Sequence, residues 1–165
     1  MEELHFPDRH HVQAAEGWLG LGDDREAERE LARLGRAASA HPSVMDIRWR
    51  IHSARSAWSE ALEVARMHVD AAPDNPAGWI HQSYTLHELR RTQEALALLQ
   101  SVARLFPDES VIPYNLACYS CQLGQLEAAQ DWIEAAIQIA GKSNVKKMAE
   151  DDPDLEPLRA YLDAL

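Results

Sequence analysis

The only two cysteines of the 165-residue chain stand three positions apart, in the segment CYSC at residues 118–121. This spacing occurs in redox-active cysteine pairs and in halves of zinc sites. A redox pair gains reactivity at a helix N-terminus, where the helix dipole lowers the thiol pKa. Here the surrounding sequence YNLACYSCQLG predicts a helix that ends at Gly124, so both thiols lie near its C-terminal end. We therefore expect no redox catalysis from this pair.

A zinc site would need two further ligands, and no histidine or cysteine follows Cys121. The available candidates are His87 and His81, so a site of Cys118, Cys121 and His87 with His81 as fourth ligand stays open as an alternative. A cysteine nucleophile paired with His87 would also need an oxyanion hole, and no glycine-rich loop is present. We favour two small packing residues and expect no catalytic residues, no metal and no cofactor.

The net charge of −11 argues against two large classes of partner. An acidic chain is repelled by nucleic-acid phosphates and by anionic lipid, so we expect neither nucleic acid nor a membrane surface as partner. No apolar run reaches the roughly 20 residues that span a bilayer. The start MEELHFPDRHH lacks the basic and apolar pattern of a signal peptide. We expect a cytoplasmic location.

An internal period of 34 residues organises the chain. The pair Glu-Ala recurs with its alanines at Ala27, Ala61 and Ala95, and one further step reaches Ala129. A second column, just before a polar turn, contains Gly22, Ser56, Arg90 and Gly124. Small residues at a fixed position allow two helices to pack closely. The period is that of a repeating helix–turn–helix unit.

Local signals support two helices in each repeat. Asn75 can cap a helix that begins at Pro76, and Trp79 follows on its apolar face. Helix-ending glycines are expected at Gly124 and at Gly141, after the segment EAAQDWIEAAIQIAG.

These motifs resemble the tetratricopeptide repeat (TPR) family. The third repeat keeps the family residues Trp79, Leu86, Ala95 and Pro107, and the fourth keeps Leu116, Gly124, Ala129 and Ala136. The resemblance implies an all-α fold, a right-handed superhelical solenoid of four helix-turn-helix repeats with a C-terminal capping helix. We assign the repeats to residues 8–41, 42–75, 76–109 and 110–143, within a single domain 1–165.

The tail 144–165 predicts two short helices on either side of DDPD. A solenoid exposes the apolar face of its last helix, and Leu155, Leu158, Tyr161 and Leu162 can cover that face. The tail sequence DPDLEPLR also resembles a bacterial subgroup of TPR proteins, which implies a bacterial cytoplasm.

Within the TPR family the first helix of each repeat lines a concave groove, and six positions per repeat face the ligand. In the second repeat these positions include Ser43, Asp46 and Ile47. The residues expected to form the peptide-binding groove are Arg50, Ile80, His81, Tyr84, His87, Tyr114, Asn115 and Cys118.

We predict a non-enzymatic protein–protein interaction module that binds a peptide or helix in this groove. Aromatic side chains supply buried area, and Arg, His and Asn can hydrogen-bond peptide groups. Three alternatives remain: the chain's own terminus fills the groove, the protein self-assembles as a scaffold or homodimer, or it is a chaperone of secreted apolar segments. A clamp for a terminal carboxylate is disfavoured, because only Asn115 matches and the groove has no lysine.

Overall fold

The computed structural model describes residues 4–165; residues 1–3, which begin the acidic N-terminal stretch, lie outside the described part. The described chain has ten α-helices and no β-strand, which confirms the all-α prediction. The helices are α1 Asp8–Gly20, α2 Asp24–Leu31, α3 Pro42–Ala54, α4 Trp58–Ala71, α5 Pro76–Glu88, α6 Thr92–Val102, α7 Val111–Gln122, α8 Leu126–Ala140, α9 Lys142–Ala149 and α10 Arg159–Ala164. None of these helices has the length and apolar character needed to cross a membrane.

The chain divides into two compact units, one ending at Thr85 and one comprising Leu86–Leu165. In the N-terminal unit α1 packs on α2 and α3 packs on α4, and in the C-terminal unit α7 packs on α8. One apolar core cluster of the N-terminal unit consists of Val12, Ala15, Ala27, Leu31, Val44, Ile47 and Ile51. Consecutive helices thus form the hairpins that the 34-residue period predicts.

The recurring alanines explain how closely these helices pack. Ala27, Ala61, Ala95 and Ala129 are all 0% exposed. A larger side chain at this position would meet the neighbouring helix, because protein interiors leave little free volume. The sequence column therefore marks the point of close packing in every repeat.

The turn inside each repeat has one backbone geometry. The column residues Gly22, Ser56, Arg90 and Gly124 all have positive φ, at 78°, 52°, 63° and 73°. The next residue donates its backbone N–H to a carbonyl five positions earlier at 2.9 Å in all four repeats; the pairs are Asp23 to Trp18, Ala57 to His52, Arg91 to Leu86 and Gln125 to Ser120. This is the left-handed helix stop that usually requires glycine. Ser56 and Arg90 adopt it without being glycine.

The start of α5 follows the sequence prediction and brings α5 close to α4. The side chain of Asn75 accepts a hydrogen bond from the Ala77 backbone N–H at 3.0 Å, which confirms the predicted cap. A Cβ atom added at Gly78 would lie 3.0 Å from the backbone nitrogen of Val69. Glycine at this position therefore permits the close approach of the two helices.

The tail folds as α9, a 3-10 segment Pro153–Leu158 and α10. Leu155, Leu158 and Leu162 are buried, and the Tyr161 hydroxyl donates to Glu134 of α8 at 3.2 Å. The 3-10 segment lies mainly across α7 and also contacts α8. The tail thus reaches the last repeat helix, as expected, and in addition covers the first helix of that repeat.

Candidate functional site

Four aromatic rings form a cluster in the N-terminal unit, which we call the aromatic cluster: Trp49 on α3, Trp58 on α4, and His81 and Tyr84 on α5. The rings of Trp49 and His81 stack with centroids 3.8 Å apart and planes 3° from parallel. Tyr84 meets Trp49 edge to face at 5.9 Å and Trp58 at 6.1 Å. Such edge and stacked geometries stabilise aromatic pairs.

Hydrogen bonds fix the orientation of the Trp49 indole. Its Nε1–H donates to the Thr85 hydroxyl at 2.8 Å, and that hydroxyl donates to the His81 carbonyl at 2.7 Å. Thr85 is fully buried. These hydrogen bonds hold the Trp49 indole of α3 against α5 without a ligand.

Asp46 lies beside the aromatic cluster between two basic groups. Its carboxylate is 3.5 Å from His81 Nε2 and 3.7 Å from the Arg50 guanidinium. Burial raises the pKa of the Asp46 carboxyl, while the Arg50 charge acts against that shift. Burial also lowers the pKa of His81 to about 3, so its imidazole is neutral near pH 7.

A cavity of about 290 Å³ opens next to Asp46 in the N-terminal unit. Its lining consists of Val12, Glu16, Pro42, Ser43, Asp46, Ile47, His68, Asn75 and Ala77. His68 is 1% exposed, and neither of its ring nitrogens has a hydrogen-bond partner within residues 4–165. Two larger cavities lie beside α2. Arg55, which lines one of them, already pairs with Asp24 and Glu28.

The structure brings part of the predicted groove together in the N-terminal unit. Arg50, Ile80 and His81 are half-buried, and Tyr84 is 36% exposed. Arg50 and His81 meet through Asp46, and Tyr84 completes the aromatic cluster. Together, these side chains place aromatic rings next to charged groups.

In the C-terminal unit the chain's own tail contacts three of the other predicted groove residues: Tyr114, Cys118 and His87. The Tyr114 hydroxyl donates to Asp152 Oδ2 at 2.7 Å, and the Cys118 thiol approaches the same oxygen at 3.6 Å. His87 Nε2 lies 3.0 Å from Asp154 Oδ2. Tyr114, Cys118 and His87 are buried, and Asn115 is half-buried on α7. We call this the tail-covered face.

The donors of the tail-covered face match the acceptors of the tail. The Gln122 side-chain amide donates to the Asp154 carbonyl at 3.1 Å. His87 Nδ1 lies 3.0 Å from the Thr92 hydroxyl, so both ring nitrogens of His87 have partners. A ligand can reach the buried Tyr114, Cys118 and His87 only after the tail moves.

Both cysteines are free, buried and unreactive in character. Burial, with the nearby Asp152 and Asp154 carboxylates, raises the pKa of Cys118 and raises that of Cys121 to about 11. Among the described residues, no three histidine, cysteine or acidic side chains gather as a metal-binding group.

The predicted groove residues include none of the following: Trp49, Trp58, Asp46, Glu16 and His68. Asp46 occupies a ligand-facing family position, which was a usable signal. No sequence pattern predicts the stacking of Trp49 on His81, because the contact joins residues 32 positions apart in different repeats. The sequence likewise does not predict the hydrogen bond from Tyr114 to Asp152, 38 positions later.

Solved structures of three other proteins resemble this chain over most of its length. The TPR protein TTC0263 of Thermus thermophilus has a TM-score of 0.73 at 16% identity and covers 96% of this chain and 100% of its own. MamA of Desulfovibrio magneticus RS-1 has a TM-score of 0.70 at 15% identity, covering 98% of this chain and 94% of its own. YrrB, a TPR protein with an unusual peptide-binding site, has a TM-score of 0.63 at 12% identity, covering 90% and 80%.

No protein-family model and no curated protein matches the sequence. The structural likeness spans all four predicted repeats and agrees with the 34-residue period. The chain therefore has the tetratricopeptide repeat fold.

Proposed function

We propose that this chain is a non-enzymatic protein-interaction module that binds a peptide or helix on the aromatic cluster of its N-terminal unit. The observation that carries the proposal is the hydrogen-bonded Trp49–His81 stack with the 36% exposed Tyr84 beside it. Large, fixed aromatic surfaces with a polar group at hand dominate the binding energy of protein interfaces.

The residues around the aromatic cluster can orient a bound peptide as well as add contact area for it. Arg50 and Asp46 can pair with polar groups of a peptide, and half-buried Ile80 adds apolar area on α5. A protein of the same fold, YrrB, has an unusual peptide-binding site. This supports a peptide as the class of ligand.

The tail-covered face has a different role in this proposal. Tyr114, Cys118 and His87 hold the chain's own Asp152 and Asp154. With Asn115 on the same helix, they would join a ligand site only if the tail were released. We place the ligand on the N-terminal unit.

A displayed random-peptide library selected on the immobilised full chain tests the proposal. The affinity of the most enriched peptide is then measured by fluorescence anisotropy for the wild type, Tyr84→Ala and Met67→Ala. Met67 is an exposed side chain on α4 of the same unit and serves as the matched control.

We expect Tyr84→Ala to weaken binding about tenfold or more, which is about 1.4 kcal/mol. Met67→Ala should stay within about twofold of the wild type, because Met67 is exposed and makes none of the ring contacts of the cluster. Equal affinities for wild type and Tyr84→Ala, or a selection that enriches no peptide, would overturn the proposal.

A further inference from the structure

The cavity beside the aromatic cluster carries negative charge that the described residues only partly balance. It is lined by the carboxylates of Glu16 on α1 and Asp46 on α3. Arg50 is the cation in contact with Asp46, at 3.7 Å. Two carboxylates and one guanidinium leave a formal charge of −1, which one added cation would neutralise.

His68 gives a second, independent indication of a ligand. This side chain lines the cavity and is 1% exposed, yet both of its ring nitrogens are without partners within residues 4–165. A buried polar group left unpaired destabilises the folded protein. Burial lowers the pKa of His68, so the imidazole is neutral and keeps one acceptor nitrogen.

The chemistry of the lining selects among classes of ligand. An anionic group would be repelled by Glu16 and Asp46. An apolar group would remove water from the carboxylates and leave His68 unpaired. An ammonium or guanidinium group carries the missing positive charge and several N–H donors. The volume of about 290 Å³ is at the lower limit of drug-sized sites, which begin at roughly 300 Å³. The cavity therefore suits one long side chain.

We infer that this cavity receives a lysine or arginine side chain of the bound segment, with Glu16 and Asp46 balancing its charge and His68 accepting one of its hydrogen bonds. The inference rests on the proposed function and specifies the chemistry of the partner. The aromatic cluster adjoins the cavity through Asp46, which lies 3.5 Å from His81. One segment can therefore place an apolar or aromatic residue on the cluster and its basic residue in the cavity.

Nuclear magnetic resonance titration of the ¹⁵N-labelled full chain tests this inference, with blocked hexalysine and hexaarginine as probes and blocked hexaglutamate as the negative control. The readouts are the backbone amides of Asp46, His68 and Ala77 and the ring nitrogens of His68. A loose cloud of basic peptide around an acidic protein would not shift one buried ring nitrogen selectively.

Charge-matched variants separate the cavity from general electrostatics. Glu16→Gln/Asp46→Asn removes two charges from the cavity, and Glu63→Gln/Asp70→Asn removes two from exposed positions on α4. We expect saturable shifts at the cavity, an approximately tenfold weaker affinity for the cavity variant, and less than about twofold change for the α4 variant. Equal weakening in both variants, no shift of the His68 ring, or equal binding of hexaglutamate would overturn the inference.

The peptide selection separates this inference from the proposed function. Enriched peptides that depend on Tyr84 but contain no basic residue would reject the cationic ligand and leave the function standing. Saturable binding of hexalysine at the cavity, with no enriched peptide that depends on Tyr84, would reject the function and leave the cation site standing.

Discussion

The imidazole of His81 lies flat on the indole of Trp49, with centroids 3.8 Å apart and planes 3° from parallel. His81 Nδ1 is buried without a partner among the described residues, and Nε2 is 3.5 Å from Asp46, longer than a usual hydrogen bond. Burial therefore dominates and holds the pKa of His81 at about 3. In this site the histidine acts as a neutral aromatic ring.

The buried histidines predict a loss of stability in mild acid. The pKa values of His81 and His68 are lowered on folding, so below about pH 6.5 the unfolded chain binds protons that the folded chain does not. Stability should be constant above about pH 7 and fall below pH 6.5, by about 1.4 kcal/mol per pH unit for His81 and by a further contribution from His68. Urea unfolding between pH 7.5 and 5.5 measures this slope.

A matched pair of variants tests whether His81 contributes to the loss of stability as the pH falls. His81→Phe keeps an aromatic ring on Trp49 and removes the titrating group, so the acid slope should decrease by about one histidine's share. His10→Gln, at an exposed position, should leave the slope as it is. An unchanged slope in His81→Phe would show that His81 is not a buried neutral histidine.

The left-handed turns predict that two substitutions to glycine stabilise the protein. Ser56 and Arg90 have φ of 52° and 63°, a conformation that costs a residue with a Cβ roughly 1–2 kcal/mol. After the entropic cost of glycine, Ser56→Gly and Arg90→Gly should each raise the free energy of unfolding by about 0.5–1 kcal/mol. Gly124→Ala, at φ of 73° with open space around its Cβ position, should lower it by about 1 kcal/mol. Urea unfolding gives the three signs, and a loss of stability in both glycine variants would contradict the assignment.

The tail should be energetically coupled to α7 through Tyr114 and Asp152. Their hydrogen bond is 2.7 Å long and ends on a carboxylate, and such bonds contribute about 1.5–3 kcal/mol. A double-mutant cycle of Tyr114→Phe and Asp152→Ala, read by urea unfolding, should give a coupling energy of about 1–3 kcal/mol. The exposed pair Tyr161 and Glu134, at 3.2 Å, provides the reference cycle and should give less than about 1 kcal/mol. Equal coupling in the two cycles would mean that the tail rests loosely on α7.

The thiols should react slowly until the tail is disturbed. Cys121 has a pKa of about 11 and Cys118 a raised pKa, so little thiolate exists at pH 8. Labelling of the native protein by a thiol-specific disulfide reagent should be at least about 100-fold slower than that of a free thiol. Asp152→Ala removes a carboxylate that raises both pKa values and should accelerate labelling. Asp151→Ala, at an exposed neighbouring position, should not. Rapid labelling of the wild type would contradict the buried placement of the pair.

Much of the fold follows from positions that repeat every 34 residues. Ala27 and Ala129 are at 0% exposure because each repeat requires a small residue where its two helices meet, so the sequence carries the constraint directly. The conformation of the turns could also be predicted from the sequence, since Gly22 and Gly124 mark the conformation that Ser56 and Arg90 share. Constraints from local packing and backbone conformation recur at the same position of each repeat, so they can be recognised in the sequence.

The site was less predictable, since its contacts are not periodic. The family positions selected His81, Tyr84 and Arg50, but Trp49 is not at one of those positions. Tyr114 was placed in the groove from its position in the repeat. That it faces Asp152 depends on the path of the tail, which no repeat position specifies.

Photo-cross-linking tests the central claim most directly, that the aromatic cluster of the N-terminal unit is the ligand-binding surface. A benzophenone amino acid is placed at Tyr84 in one variant and at Met67 in another, and each is irradiated with the peptide enriched by selection. We predict a covalent adduct of the peptide at position 84 and none at position 67, because Met67 is exposed on α4 and takes no part in the ring contacts of the cluster. An adduct at position 67, or none at position 84 while the peptide remains bound, would contradict the account.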